Sequence, residues 1–259
     1  MKNSSKKPVA IITGASRGVG AATALLLASK GWNITLTCSS TIKEANEIAM
    51  ACEEYKVEAL AIQADVSDYN DCKNTIDQTI NKWGRIDALI NNAGASSSVR
   101  SIAHIPVDQW ENVLNINLQA VYRLCQEFLP DMIEKKKGTI ITVSSMAALN
   151  PGLLGGAAYS AAKAGVTNLM GDINAEFSND GIRATAVMPA EVDTPILDNR
   201  ALVPNESARS TMMQPEDLAD VIYMCATVNT RTTIETVVLK PTLKRDLSSD
   251  LKAAKNKIE

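Results

Sequence analysis

The stretch Pro8-Val9-Ala10-Ile11-Ile12-Thr13-Gly14-Ala15-Ser16-Arg17-Gly18-Val19-Gly20, with the Ala/Leu-rich run that follows it to Gly31, decides the fold. Residues 9–13 are a short apolar run that reads as a strand. Residues 19–30 are dominated by strong helix formers, and Gly31 is a natural C-terminal stop. Between them lies a turn with three glycines, Gly14, Gly18 and Gly20. Glycine lets the backbone turn sharply and lets a pyrophosphate approach the amides closely. The helix N-terminus adds unpaired N–H groups and the positive end of a dipole. A glycine-rich turn alone could be only a tight turn; its position after a strand and before a helix makes it a phosphate cradle. The cofactor contacts assigned to it are Gly14, Ser16, Arg17, Gly18, Val19 and Gly20.

Outward from this unit the chain alternates β-branched runs with longer helical ones. Strands are predicted at 34–38, 57–63, 87–90, 139–143, 183–188 and 233–239. Helices are predicted at 43–55, 69–83, 107–134 (as one or two), 158–177 and 215–226. This βαβ alternation predicts one α/β domain: a doubly wound parallel sheet with helices on both faces. The domain spans 1–259, with a core at about 8–241 and a charged tail at 242–259 expected to be poorly ordered. In such sheets ligands bind beyond the carboxyl ends of the strands. The residues just after the predicted strands, including Gly14, Ser39, Ser40, Asp65, Asn92, Ser145 and Pro189, therefore gather along one edge.

The bulk numbers narrow the function. A net charge of −3, from 26 basic and 29 acidic residues, offers no broad attraction to nucleic acid or anionic membrane. The five cysteines form no CxxC pair and fall mostly in apolar runs, so buried reduced thiols are expected rather than disulfides or a metal site. The single histidine, His104, reads as a loop residue, and no metal is expected. There is no apolar stretch of membrane-spanning length and no secretory signal pattern, so a cytoplasmic protein is expected.

Two places bear on the cofactor. A fold of this kind that takes NAD usually carries an acid after the second strand to hold the ribose hydroxyls. Residues 36–41, Leu-Thr-Cys-Ser-Ser-Thr, contain hydroxyls and no acid. Ser39 and Ser40 can donate to a phosphate, and the Arg17 guanidinium suits a phosphate dianion, although Arg17 could also be a solvated loop cation. This charge logic favours NADP(H), with NAD(H) as the lesser option. Asp65, with Val66, could hold the adenine amino group or cap the next helix. Asn92, Ala93 and Gly94 suit backbone lying against a ribose.

Tyr159 and Lys163 lie four apart at the start of a predicted helix and so share a face. A nearby cation favours the phenolate and lowers the tyrosine pKa, making Tyr159 a usable general acid/base. Such a pair is common in ordinary helices; its weight comes from Ser145, placed after the preceding strand where it can hydrogen-bond a substrate oxygen. Asn117, in an apolar helix, needs partners. It could kink the helix and hold a water linked to Lys163.

Taken together, these residues resemble the short-chain dehydrogenase/reductase family in its single-domain branch. The resemblance runs from about Pro8 to Pro241 and rests on an ordered set: the TGxxxGxG turn at Thr13 to Gly20, the NNAG segment at Asn91 to Gly94, then Asn117, Ser145 and the YxxxK pair Tyr159 and Lys163. It implies a Rossmann-type sheet of about seven strands. It also implies roles. Tyr159 is the proton donor/acceptor, and Lys163 lowers its pKa and binds the nicotinamide ribose. Ser145 polarises the carbonyl, and Asn117 supports a proton relay. Arg17 and Ser39 resemble the positions that select NADP. The substrate is then a small carbonyl compound or alcohol, and the chain a homodimer or homotetramer joined through the helices at 107–134 and 158–177.

Three departures stand out. Ser145 lies one position farther from Tyr159 than is usual in the family, with the extra residue assigned to the loop at 150–156. The usual Pro-Gly after the sixth strand is Pro189-Ala190, while Val192 and Thr194 still match the positions that hold the nicotinamide carboxamide. The C-terminus lacks the usual glycine-rich ending and resembles that of short-chain 3-hydroxy acid dehydrogenases. The substrate wall is expected from residues 96–100, 147–154 and the segment after Thr194. Glu191, Asp193 and Arg200 could face substrate or solvent, with solvent favoured, and 202–213 is expected to form a mobile lid. The alternative function is a non-catalytic nucleotide-binding or regulatory protein on the same fold, disfavoured because Tyr159, Lys163, Ser145 and Asn117 are all present. An epimerase or dehydratase is disfavoured by the short C-terminal region.

Overall fold

The structure, a computed structural model, describes residues 7–40 and 42–258. In chain order the elements begin with β1 (Val9–Ile12), α1 (Gly18–Ser29), β2 (Asn33–Cys38), α2 (Ile42–Glu53), β3 (Ala59–Gln63) and α3 (Tyr69–Trp83). They continue with β4 (Ala88–Asn91), α4 (Val107–Leu114), α5 (Ala120–Lys135), β5 (Gly138–Val143), α6 (Ala157–Phe177) and β6 (Ile182–Pro189). The last are α7 (Glu206–Arg209), α8 (Pro215–Thr227), β7 (Thr236–Leu239) and α9 (Ser248–Asn256). The seven strands form one parallel sheet in the order β3-β2-β1-β4-β5-β6-β7. The order reverses between β1 and β4, which makes the carboxyl ends of those strands the switch point where such sheets open a crevice.

The two faces follow from strand alternation. Ala10 and Ile12 of β1, Ala88 and Ile90 of β4, and Ile141 of β5 pack with α1, α2 and α8. Their neighbours Ile11, Leu89 and Ile140 point the other way, into a second core with α3, α5 and α6. Burial on both faces explains why the central strands read as unbroken apolar runs rather than alternating ones.

The predicted 107–134 helix is two α-helices joined by a π-helical turn at Asn115–Gln119. The last strand is shorter than predicted and begins at Thr236. The clearest difference is the tail, expected to be poorly ordered. It instead folds as α9, with Asp250 and Ala254 buried. The cause is an ion cluster: Arg245 donates to Asp250 at 2.8 and 2.9 Å and to Glu191 at 2.8 and 3.1 Å. Arg200 donates to Glu191 at 2.6 Å. Glu191 and Arg200, expected to face solvent, are thus spent on anchoring the tail, and Asp193 pairs with Arg209 at 2.6 Å. The segment expected to be a lid contains α7, and its end is fixed by a parallel bridge between Val192 and Met213. All five cysteines are buried thiols. No helix among the described residues is long and apolar enough to cross a membrane.

Candidate active site

A cleft of about 690 Å³ opens at the carboxyl ends of the strands, with Arg17, Tyr159 and Arg245 all on its wall. At one end is the glycine turn. Gly14 holds φ +62, and a Cβ there would lie 2.9 Å from Ala93 Cα. At Gly20 a Cβ would meet the Gly14 carbonyl oxygen at 2.5 Å and Asn92 Nδ2 at 2.6 Å, so only glycine lets α1 start this close to the turn. The N-cap residue Arg17 makes no side-chain bond to α1, and the first turn carries no acid. Arg17, Gly18 and Val19 line the cleft, so the first N–H groups and positive dipole end of α1 face it. That arrangement fits a pyrophosphate. Ser16 sits half-buried within the turn.

The Asn91–Gly94 segment holds this turn in place. Asn92 Nδ2 donates to the carbonyls of Thr13 (2.9 Å) and Gly14 (3.0 Å), and the backbone N–H groups of Asn92 and Ala93 both donate to Thr13 Oγ1 at 3.0 Å. The Asn92 amide, assigned from sequence to a ribose, is therefore spent on tying β4 to the turn, while Gly94 reaches the cleft wall. Thr13 was missed as a site residue because its hydroxyl acts only on backbone brought near by the β1–β4 pairing.

Ser39 and Ser40 follow β2 as exposed residues outside the main cleft, beside β3: Gln63 Nε2 donates to the Ser39 carbonyl at 3.2 Å. Thr41, the last of that hydroxyl segment, lies outside the described residues. Asp65 and Val66 also lie off the cleft wall. Asp65 accepts from the Ser67 backbone and hydroxyl, at 2.9 and 2.8 Å, while the cap of α3 is Asp68. Capping by Asp65, one of its two sequence readings, is thereby corrected. Pro189, Val192 and Thr194 line the cleft, and the Thr194 methyl lies 3.4 Å from a Cβ built on Gly18, so the loop after β6 closes over the start of α1.

At the other end, Tyr159 and Lys163 project from α6 as predicted, with Lys163 Nζ 5.5 Å from the centre of the tyrosine ring. Lys163 is buried and donates to the Val143 carbonyl at 2.7 Å. Burial pushes its pKa down to about 8. Burial is also the dominant influence on Tyr159, whose pKa is raised. Ser145, Arg100 and Arg200 pull it back down, in that order. Sequence reasoning expected a lowered phenol tuned by Lys163. Burial instead raises the phenol's pKa, and the downward pulls come from Ser145, Arg100 and Arg200.

Ser145 lines the cleft beside Tyr159. Ser144 turns away, donating to the Lys163 carbonyl at 3.0 Å and pairing with Thr167 at 2.8 Å. The Ser144 hydroxyl is thus occupied on α6, while that of Ser145 is hydrogen-bonded with Tyr159. Asn117 is fully buried within the π turn: Nδ2 donates to the carbonyls of Val113 and Ala95, both at 2.8 Å, and the Ala95 N–H donates to Oδ1 at 3.4 Å. A Cβ on Gly94 would lie 3.0 Å from Asn117 Oδ1 and 3.7 Å from Lys163 Nζ, so these groups converge behind the cleft. π turns of this kind recur at functional sites.

The family model for short chain dehydrogenase matches residues 8–203. A 3-oxoacyl-(acyl-carrier-protein) reductase of Synechocystis sp. is 33% identical over 223 residues, 85% of this chain and 89% of that one. One from Thermotoga maritima is 31% identical over 231 residues, 84% of this chain and 89% of that one. Among solved structures, a metagenomic short-chain oxidoreductase in complex with NADP superposes with a TM-score of 0.79 at 31% identity, covering 93% of this chain and all of the other.

Proposed function

The chain belongs to the short-chain dehydrogenase family, and from that premise we propose that it moves a hydride between a nicotinamide dinucleotide, NADP(H) in preference to NAD(H), and a carbonyl or secondary-alcohol substrate. The observation that carries this reading is the convergence of Ser145, Tyr159 and Lys163 on one cleft that also receives the glycine turn and the start of α1. The relatives' names, 3-oxoacyl-(acyl-carrier-protein) reductases and an oxidoreductase in complex with NADP, support it.

The pyrophosphate is held by the amides of the Gly14–Gly20 turn. Arg17, with Ser39 and Ser40, would serve the extra phosphate of a bound NADP, and Asp65 and Val66 would meet its adenine side. Asn92, Ala93 and Gly94 support the ribose side, and Pro189, Val192 and Thr194 the nicotinamide side. The bound dinucleotide supplies the hydride in reduction and accepts it in oxidation. Ser145 and Tyr159 hold the substrate oxygen between their hydroxyls. In reduction Tyr159 gives its proton to that oxygen as hydride reaches the carbon; oxidation reverses both transfers. Burial raises the Tyr159 pKa and so favours the protonated phenol that the acid role uses. Lys163 binds the ribose and joins Asn117 in returning the proton from solvent. The protein acts as a homodimer or homotetramer through the outer faces of α4, α5 and α6.

The test is a panel of small ketones and aldehydes with NADPH in which both hydrogens at the nicotinamide C4 are deuterium. The expected result is NADPH oxidation with deuterium on the former carbonyl carbon of the product. Oxidation without deuterium in the product removes the hydride-transfer reading.

A further inference from the structure

Arg100 is a guanidinium that uses only two of its five N–H donors among the described residues. It lies in the loop between β4 and α4, is only 5% exposed and lines the cleft. Its Nη1 donates to the carbonyls of Leu154 and of Gly155, the latter at 3.1 Å. Its stem packs flat on Gly156, where a Cβ would lie 3.1 Å from both Arg100 Cα and Cδ. The side chain is thus fixed in place on the loop that leads into α6. Among the described residues, Nε and Nη2 have no partner, and no carboxylate pairs with this guanidinium.

The surroundings sharpen the imbalance. Arg100 and Arg200 act electrostatically on each other and on the Tyr159 phenol, so both lie near the reacting end of the cleft. Arg200 and Arg245 are satisfied by Glu191 and Asp250. Three guanidiniums therefore meet two carboxylates, and the one in excess is Arg100. Burial, with repulsion from Arg200, pushes its pKa down to about 10. A buried cation without a counter-charge is costly unless a ligand completes it. The free Nε/Nη2 edge is a parallel two-donor fork, the geometry that matches the two oxygens of a carboxylate.

We propose that Arg100 binds an anionic group carried by the substrate, and that the substrate is an oxo acid in reduction and the matching hydroxy acid in oxidation. This rests on the hydride-transfer reading above and names its substrate class. The anion stays unchanged through the reaction: hydride goes to the carbonyl carbon, the Tyr159 proton to its oxygen, and the carboxylate only fixes the distance between Arg100 and the reacting carbon. A phosphate ester offers the same two-oxygen edge, so the test separates the two.

The test has a turnover arm and a binding arm. In the first, wild-type protein with NADPH is given short 2-oxo and 3-oxo carboxylates, each alongside its methyl ester, its primary amide, its N-acetylcysteamine thioester and an oxoalkyl phosphate of matched length. The expected result is kcat/KM at least about tenfold higher for the acid than for every neutral derivative, expressed mainly in KM. The phosphate should be poorer than the acid; a better phosphate reassigns the anion and overturns the carboxylate. In the binding arm, calorimetry with butyrate and butyramide is run on wild type, Arg100→Gln and Arg100→Lys. Butyrate is expected to bind wild type, to bind Arg100→Lys more weakly and to be lost in Arg100→Gln, while butyramide binds none of them. Neutral derivatives that react as well as the acid, or butyrate binding unchanged in Arg100→Gln, overturn the proposal, and should Arg100→Gln fail to fold, the wild-type comparisons decide alone. If no carbonyl compound oxidises NADPH but butyrate still binds through Arg100, the hydride reading fails and the anion site stands.

Discussion

Lys163 shows how one buried residue sets the pH behaviour of the site. Its folded pKa of about 8 lies below the ordinary lysine value because burial disfavours the ammonium. Between these two values the unfolded chain holds a proton that the native chain has released, so this group adds stability as pH rises through that window. The consequence for activity has the opposite sign. If the Lys163 ammonium serves ribose binding and proton return, kcat/KM for carbonyl reduction is flat near neutrality and falls as pH rises through about 8. A profile that stays flat to well above that value contradicts the assignment. Tyr159, raised by burial, remains protonated across the same range and does not produce the fall.

Arg17 makes a separate prediction at this scale. It caps α1 in position only, with no side-chain bond to the helix, and stands exposed at the cleft wall. Arg17→Ala is expected to weaken NADPH binding roughly tenfold or more, the worth of a charge-assisted hydrogen bond, with NADH affinity little changed. Equal weakening of both cofactors, measured by fluorescence titration, removes its phosphate role.

Among the elements, the strands and long helices were legible because each carries its own period and its own stop. Val9 to Gly31 reads as strand, turn and helix without reference to the rest of the chain, and Asn117 marked a distortion in its helix because a buried amide in an apolar run must find partners. The tail was not legible. Nothing local in Arg245 to Asn256 announces order. Its order depends on Glu191 and Arg200, brought beside it by the loop after β6. For the same reason Glu191 and Arg200 looked like solvent-facing charges. Burial alone pushes the Glu191 carboxyl upward, but hydrogen bonds from Arg245 and Arg200 outweigh it and hold its pKa below the usual range. Asp250→Asn removes one of the two carboxylates in the cluster and is expected to loosen α9 by about 1–3 kcal/mol. Hydrogen exchange at residues 248–256 should then accelerate by the corresponding factor, and unchanged exchange there contradicts the anchoring role.

For the whole molecule, the parallel sheet separates stability from chemistry. The face carrying α3, α5 and α6 holds Phe128, fully buried among Leu124, Met132 and Ile140. Phe128→Ala is expected to cost about 3–5 kcal/mol, seen as a fall in denaturant midpoint, with cofactor affinity in the surviving folded protein unchanged. A variant of wild-type stability would mean that this face can collapse around the lost ring. The cleft, by contrast, collects side chains from the ends of β1, β4, β5 and β6 and from the tail. Sequence order could place the strand ends together, but it could not show which side chains turn inward. Ser145 and Ser144 are adjacent and face opposite ways, and Arg100 lies in a loop whose course is set by Leu154 and Gly155, far along the chain.

The central claim is that the Tyr159 hydroxyl transfers the proton that accompanies hydride transfer. Single-turnover NADPH absorbance with a reducible carbonyl substrate, compared between wild type and Tyr159→Phe, tests it most directly. The account predicts that the variant binds NADPH as wild type does and oxidises it at least about a hundredfold more slowly. Oxidation by Tyr159→Phe at the wild-type rate would contradict it.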